Sequence, residues 1–218
     1  MFIGHWAPAL AVAASRRRPG IGTLFIAAQL IDWAFFALLL LGVEHMRLTP
    51  GISVMNPMDL YDMHLSHSLT GTAFGFALGM GALYLLLTRD RVGAVLVGAV
   101  VVSHWFLDLL VHVPDLTLNG SPPKLGLGLW NYPMIEMPLE LGITLGALWW
   151  YVKARQPALL RALALAAVLL LLQAINWFGP VEPEVTPGTS YLAFFAYGLA
   201  TLMAWWMGKS AQNPARTG

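Results

Sequence analysis

Six separate runs of about 20 apolar residues, each long enough to cross a hydrocarbon layer of about 30 Å as a helix, constrain this chain more than any other feature. They are Ile21 to Val43, Ser68 to Thr88, Val92 to Val113, Met134 to Val152, Ala158 to Phe178, and Tyr191 to Met207. Only 11% of the 218 residues are charged, against roughly 25% in soluble domains. The expected fold is an all-α integral membrane protein: a bundle of six transmembrane helices in one polytopic domain over residues 1–208, followed by a polar cytoplasmic tail at 209–218.

A seventh apolar stretch, Phe2 to Ala14, would be only about 20 Å long as a helix, so it is expected to enter the membrane without spanning it. It does not read as a signal peptide, because Arg16, Arg17 and Arg18 follow its apolar residues instead of preceding them.

Basic residues near helix ends stay on the cytoplasmic side. With the arginine triplet inside, Arg89, Arg91, Lys153, Arg155, Arg161, Lys209 and Arg216 also fall inside, and only Arg47 and Lys124 of the 12 basic residues fall outside. This places the C-terminus in the cytoplasm. The two long loops, Glu44 to Ser66 and Pro114 to Pro133, then lie on the outer face, where chemistry is expected. A formal net charge of +1 offers no field for nucleic acid, and the absence of cysteine excludes thiolate metal sites and a cysteine nucleophile. Any metal must be held by His, Asp or Glu.

Ionisable side chains at membrane depth are costly and mark sites or buried pairs. The third span reads VVSHWFLDLLVHVPD, which puts His104, Asp108 and His112 on one helical face at i, i+4 and i+8. Asp62, His64 and His67 cluster in YDMHLSHSLTG where the first outer loop meets the second span, with Ser66 and Ser68 flanking His67 as groups able to orient an imidazole. Asp32 is the one charge inside the first span, and His5 the one ionisable side chain in the N-terminal segment. Glu136 and Glu140 share a face of the fourth span; one could serve as ligand or base while the other bonds a neighbouring helix.

At 1.5 Å per residue from the inner helix ends, these groups lie at heights from about 15 Å (His5) to about 30 Å (His67 and His112), as one outward-opening cavity requires. Imidazoles with carboxylates suit zinc first, with manganese or iron as alternatives, and the number of donors allows more than one ion. Heme is disfavoured, and no span holds a lysine for a retinal-type Schiff base. Gln173 and Asn176 read as interhelical hydrogen-bonding groups or as supports for the site. Trp149, Trp150, Trp205 and Trp206 read as interfacial anchors.

GHWAPALA, QLID, the HSL of MHLSHSLTG, and SHWFLD together resemble the YdjM-like integral membrane proteins, described as predicted metal-dependent hydrolases. Asp62 stands where that family has a histidine, and Ser66 where it has threonine. A subgroup's extended motif, with Asp115, then Leu129 to Asn131 and a later glutamate at Glu140, is also similar. The resemblance covers about the first 140 residues. More loosely, His5, Asp32, His67, His104 with Asp108, and His112 follow the ligand order of zinc-dependent phospholipases C and related nucleases.

The resemblance and the residues together imply a metal-dependent hydrolase of a bacterial cytoplasmic membrane, its site facing outward toward a lipid or lipid-linked phosphoester. His5, Asp32, Asp62, His67, His104, Asp108 and His112 are the expected metal ligands, with Glu140, Asp108 and His112 as catalytic groups. The competing expectation is a metal-ion or proton transporter using the same residues. Membrane lipids are the expected partners.

Overall fold

The computed structural model describes residues 1–15, 19–180 and 182–211. Arg16, Arg17, Arg18, Arg216 and most of the expected polar tail lie outside the described residues. The protein is mostly helical (68%). After a 3₁₀ turn at Ile3–His5, α1 spans Trp6–Ala14 and α2 Ile21–Leu40. An antiparallel hairpin follows, β1 at His45–Leu48 and β2 at Met58–Asp62. A π-helical stretch, Gly71–Ala77, leads into α3, Leu78–Thr88; then come α4, Arg91–Val111, α5, Pro133–Arg155, α6, Leu159–Phe178, and α7, Pro187–Gly208.

Among the described residues four helices, α2, α4, α6 and α7, are long and apolar enough to cross a membrane. The other two expected spans differ for identifiable reasons. The 23 residues of α5 include Glu136, Glu140, Lys153 and Arg155, which lower its hydropathy, and Pro138 lies inside it. Only 11 residues form α3, because the start of that apolar run coils as π-helix. At its entry, a Cβ on Gly71 would stand 2.1 Å from the Leu65 carbonyl oxygen, so a side chain cannot fit there.

Helix ends follow local chemistry. Pro114 shortly after α4 prevents its continuation, and His112 at the C-cap is already extended. A reciprocal capping box between Thr186 and Thr189 starts α7 four residues earlier than the hydropathy did.

The short α1 is apolar on all sides and serves as a central plug: Trp6, Ala9, Leu10 and Ala13 are buried. Trp6 Nε1 donates to the Phe25 carbonyl at 3.2 Å, tying α1 to α2. At its other end, Arg155 Nε donates to the Ala13 carbonyl at 3.1 Å, a cation at the negative end of the helix. Arg155, counted from sequence as an inner surface charge, is thus buried against α1. On the periphery, Leu86, Leu160 and Leu171 are exposed, as lipid-facing positions would be. Lys209 and Arg161 lie over the rings of Trp205 and Trp206 at the same end of the bundle.

The two long loops fold together as a cap. The hairpin pairs His45 with Asp62, Arg47 with Asp59 and Leu48 with Met58, and its alternation buries Met46 and Leu60 toward the bundle. Leu69 N donates to Thr117 O at 3.0 Å and Met55 N to Trp130 O at 3.1 Å. These bonds fix the segment carrying His67 beside the C-terminal end of α4.

Candidate metal centre

His5, Asp32, His67, His104, Asp108 and His112 converge between α1, α2, α4 and the cap. His67 Nε2 lies 3.4 Å from Asp32 Oδ1 and 3.6 Å from Asp108 Oδ2; His104 Nε2 lies 3.4 Å and 3.0 Å from the same two oxygens. The other Asp108 oxygen, Oδ1, is 3.0 Å from His5 Nε2 and 3.3 Å from His112 Nε2. The Met1 α-amino group also reaches that oxygen, at 3.1 Å. The rings of His5 and His104 stack with centroids 3.7 Å apart.

What holds each imidazole decides which nitrogen faces the centre. His104 Nδ1 is 2.8 Å from the Ala28 carbonyl, an acceptor, so Nδ1 carries the proton. His112 Nδ1 is 2.9 Å from Asp115 Oδ1. His67 Nδ1 is 2.8 Å from Ser66 Oγ, which itself donates to Glu44 Oε2 at 2.6 Å and so accepts from the ring. In all three the lone pair is left on Nε2. On Asp32, Oδ2 takes hydrogen bonds from the Gln29 side chain and from Tyr197 Oη, leaving Oδ1 for the centre.

Lone pairs therefore face lone pairs. His104 Nε2 and Asp108 Oδ2, 3.0 Å apart, are both buried and have no hydrogen-bond partner, as is His5 Nε2. Acceptors crowded this closely repel unless a cation sits among them. Donors 2.0–2.1 Å from a tetrahedral centre stand about 3.3–3.4 Å apart. The separations around Asp32 Oδ1, His67 Nε2, His104 Nε2 and Asp108 Oδ2, 3.0–3.6 Å, match such edges. Two sets sharing His104, His5 with His104 and Asp108, and Asp32 with His67 and His104, could each hold a metal ion.

Of the sequence-expected ligands, Asp62 is the correction. Hairpin pairing turns it to the exposed outer face, where its oxygens meet His45 Nδ1 and His64 Nδ1, each at 2.8 Å. Those hydrogen bonds, His45 first, hold its carboxyl below the usual range. Glu140, expected to be catalytic, is occupied otherwise. Its Oε1 accepts from Phe2 N and from Gly4 N at 2.9 Å, and its Oε2 from Gln173 Nε2 at 2.9 Å. It positions the backbone that carries His5. Glu136 is the carboxylate left available, since its buried Oε2 has no partner and it lines the cavity over the centre.

Sequence reasoning missed Glu44, which accepts from Leu65 N, Ser66 N and Ser66 Oγ and so shapes the turn bearing His67. Its one signal was a lone acid at the end of an apolar run. It also missed Trp105, whose Nε1 donates to the His67 carbonyl at 3.0 Å. Ser68, expected to support His67, instead accepts from Gly71 N and starts the π-helical stretch.

Comparison with protein-family models, with curated proteins and with solved structures returned no match.

Proposed function

We propose that this chain is an integral membrane metal-dependent hydrolase, built as a six-span bundle around the short α1, with a dinuclear zinc centre acting on a lipid or lipid-linked phosphoester. One observation carries the reading: His5 Nε2, His104 Nε2 and Asp108 Oδ2 are buried without a hydrogen-bond partner, and His67 Nε2 and His104 Nε2 stand 3.0–3.6 Å from Asp32 Oδ1 and Asp108 Oδ2, near tetrahedral-edge separations. The YdjM-like motifs in GHWAPALA, QLID and SHWFLD support the same activity. The distribution of basic residues supports a cytoplasmic C-terminus and a site facing outward across a bacterial cytoplasmic membrane.

In this reading Asp32, His67 and His104 would hold one ion and His5 and His112 a second, with Asp108, whose oxygens face both sets, available to either. Bound metal supplies Lewis acidity, making water nucleophilic near neutral pH and polarising the phosphoryl oxygen. Asp115 and the Ser66–Glu44 pair keep His112 and His67 in the ligating tautomer. Glu136, whose buried Oε2 has no hydrogen-bond partner, exchanges a proton with the leaving group.

In proteoliposomes, zinc-loaded protein is expected to cleave a phosphoester from a panel of phospholipids and lipid-linked phosphates, and chelation to abolish it. Glu136→Gln is expected to lower kcat by about 10²–10⁴-fold with metal content unchanged. Movement of zinc or protons across sealed vesicles without any cleavage would replace the hydrolase with a transporter.

A further inference from the structure

A cavity of about 400 Å³ rises from the cluster, and its shape bears on what the centre can receive. Asp32, His67, Asp108 and His112 form its floor, with Glu136 beside them. Above the floor the lining is apolar: Phe35, Phe36 and Trp130 on one side, and Met46, Met58 and Leu60 of the hairpin as a roof. The remaining wall comes from Leu172 and Ile175 on α6 and from Leu192, Ala193 and Ala196 on α7.

That wall distinguishes a lateral slot from a water-facing pocket. Ile175, Leu192 and Phe195 line the cavity and are also 51%, 62% and 65% exposed. Both helices are long and apolar enough to span a membrane, so the side chains separating the cavity from the exterior face lipid. Polar lining comes from the floor with Glu140 and Tyr197 beside it, from Asn176 and Thr189 at the ends of these helices, and from Asn56 and Glu182 in the adjoining loops, while the stretch of wall between is apolar. The volume is near the low end of small-molecule sites, about 300–1,000 Å³. It suits a polar head and part of one chain, with the rest of the molecule remaining in the bilayer.

We infer that the cavity is a chain slot: an amphiphile enters sideways from the bilayer on the α6–α7 side, lays one apolar chain against Leu172, Ile175, Leu192 and Ala193, and presents its anionic head group to the His/Asp floor. This rests on the floor being the reacting centre of the proposed hydrolase. A chain already in lipid gains little by entering an apolar slot. The slot therefore acts by admission, and filling it excludes chains while sparing small anions.

The test uses two phosphonates that cannot be hydrolysed at phosphorus, dodecylphosphonate and methylphosphonate, bound to zinc-loaded full-length protein in lipid nanodiscs, with empty nanodiscs subtracted. Ala193→Phe, inside the slot, and Leu192→Trp, at its rim, are each expected to weaken dodecylphosphonate at least tenfold. Methylphosphonate affinity and zinc content should change less than twofold. Should Ala193→Phe lose its zinc through misfolding, the rim variant decides the matter. Equal losses for both phosphonates, or no loss for dodecylphosphonate, would overturn the slot. A selective loss in a protein that cleaves no phosphoester keeps the slot and removes the hydrolase. Cleavage of a chain-bearing phosphoester untouched by the variants keeps the hydrolase and removes the slot.

Discussion

Asp108→Ala is expected to empty the whole centre, whereas His5→Ala should empty only part of it. Asp108 faces His67 and His104 with one oxygen and His5 and His112 with the other, at 3.0–3.6 Å, so it serves both halves. Groups that merely orient ligands cost roughly 10–100-fold in metal affinity when removed, and a bridging ligand should cost more. Purified Asp108→Ala protein should retain almost no metal after dialysis, and His5→Ala about half. Asp62→Asn serves as the control: its carboxylate is on the outer hairpin with His45 and His64, and metal content should not change. Equal retention in Asp108→Ala and native protein would contradict the bridging arrangement.

Glu140→Ala should be the most destabilising single change near the site. One carboxylate, 1% exposed, receives Phe2 N, Gly4 N and Gln173 Nε2, and Gln173 in turn receives Ile3 N at 3.3 Å. Deleting it leaves several buried donors without an acceptor, at about 1–3 kcal/mol each, so a loss of about 3–5 kcal/mol is expected. Glu140→Gln should recover only part of this. An amide can still accept from Phe2 and Gly4, but it turns an NH₂ toward the Gln173 NH₂, and Gln173 cannot flip without abandoning Ile3. Thermal unfolding in detergent checks the ranking native, then Glu140→Gln, then Glu140→Ala. An unchanged midpoint in Glu140→Ala would show that the N-terminal segment is held by packing alone.

The two variants also show which features were legible in the sequence. Long apolar runs announced the helices, and ionisable residues inside them announced His5, Asp32, His104 and Asp108, because few other reasons put such groups at membrane depth. Periodicity on one helix placed His104, Asp108 and His112 together. Features depending on the loops were not legible. β1 and β2 are four and five residues long with polar residues interspersed, too short for a periodic signal. Their pairing is what carries Asp62 away from His67, its neighbour in sequence. Glu44 acts on residues 21 and 22 positions further on, a contact that no local pattern encodes. Glu136 and Glu140 lie one turn apart on the same face, so only the position of the N-terminal segment separates a spent carboxylate from an available one. Hydropathy also counted α5 as an apolar span although its carboxylates and terminal bases set it apart from the four helices that meet both criteria.

Elemental analysis of the purified, full-length protein tests the metal centre itself. The expected result is a first-row transition metal, zinc foremost, that survives dialysis at one equivalent per chain or more and reaches two on titration, with no sulfur ligand in its absorption spectrum. Protein that emerges folded but metal-free, and takes up none of zinc, manganese or iron at micromolar concentration, would contradict it: the six side chains would then be a buried ion-pair network with no centre to serve.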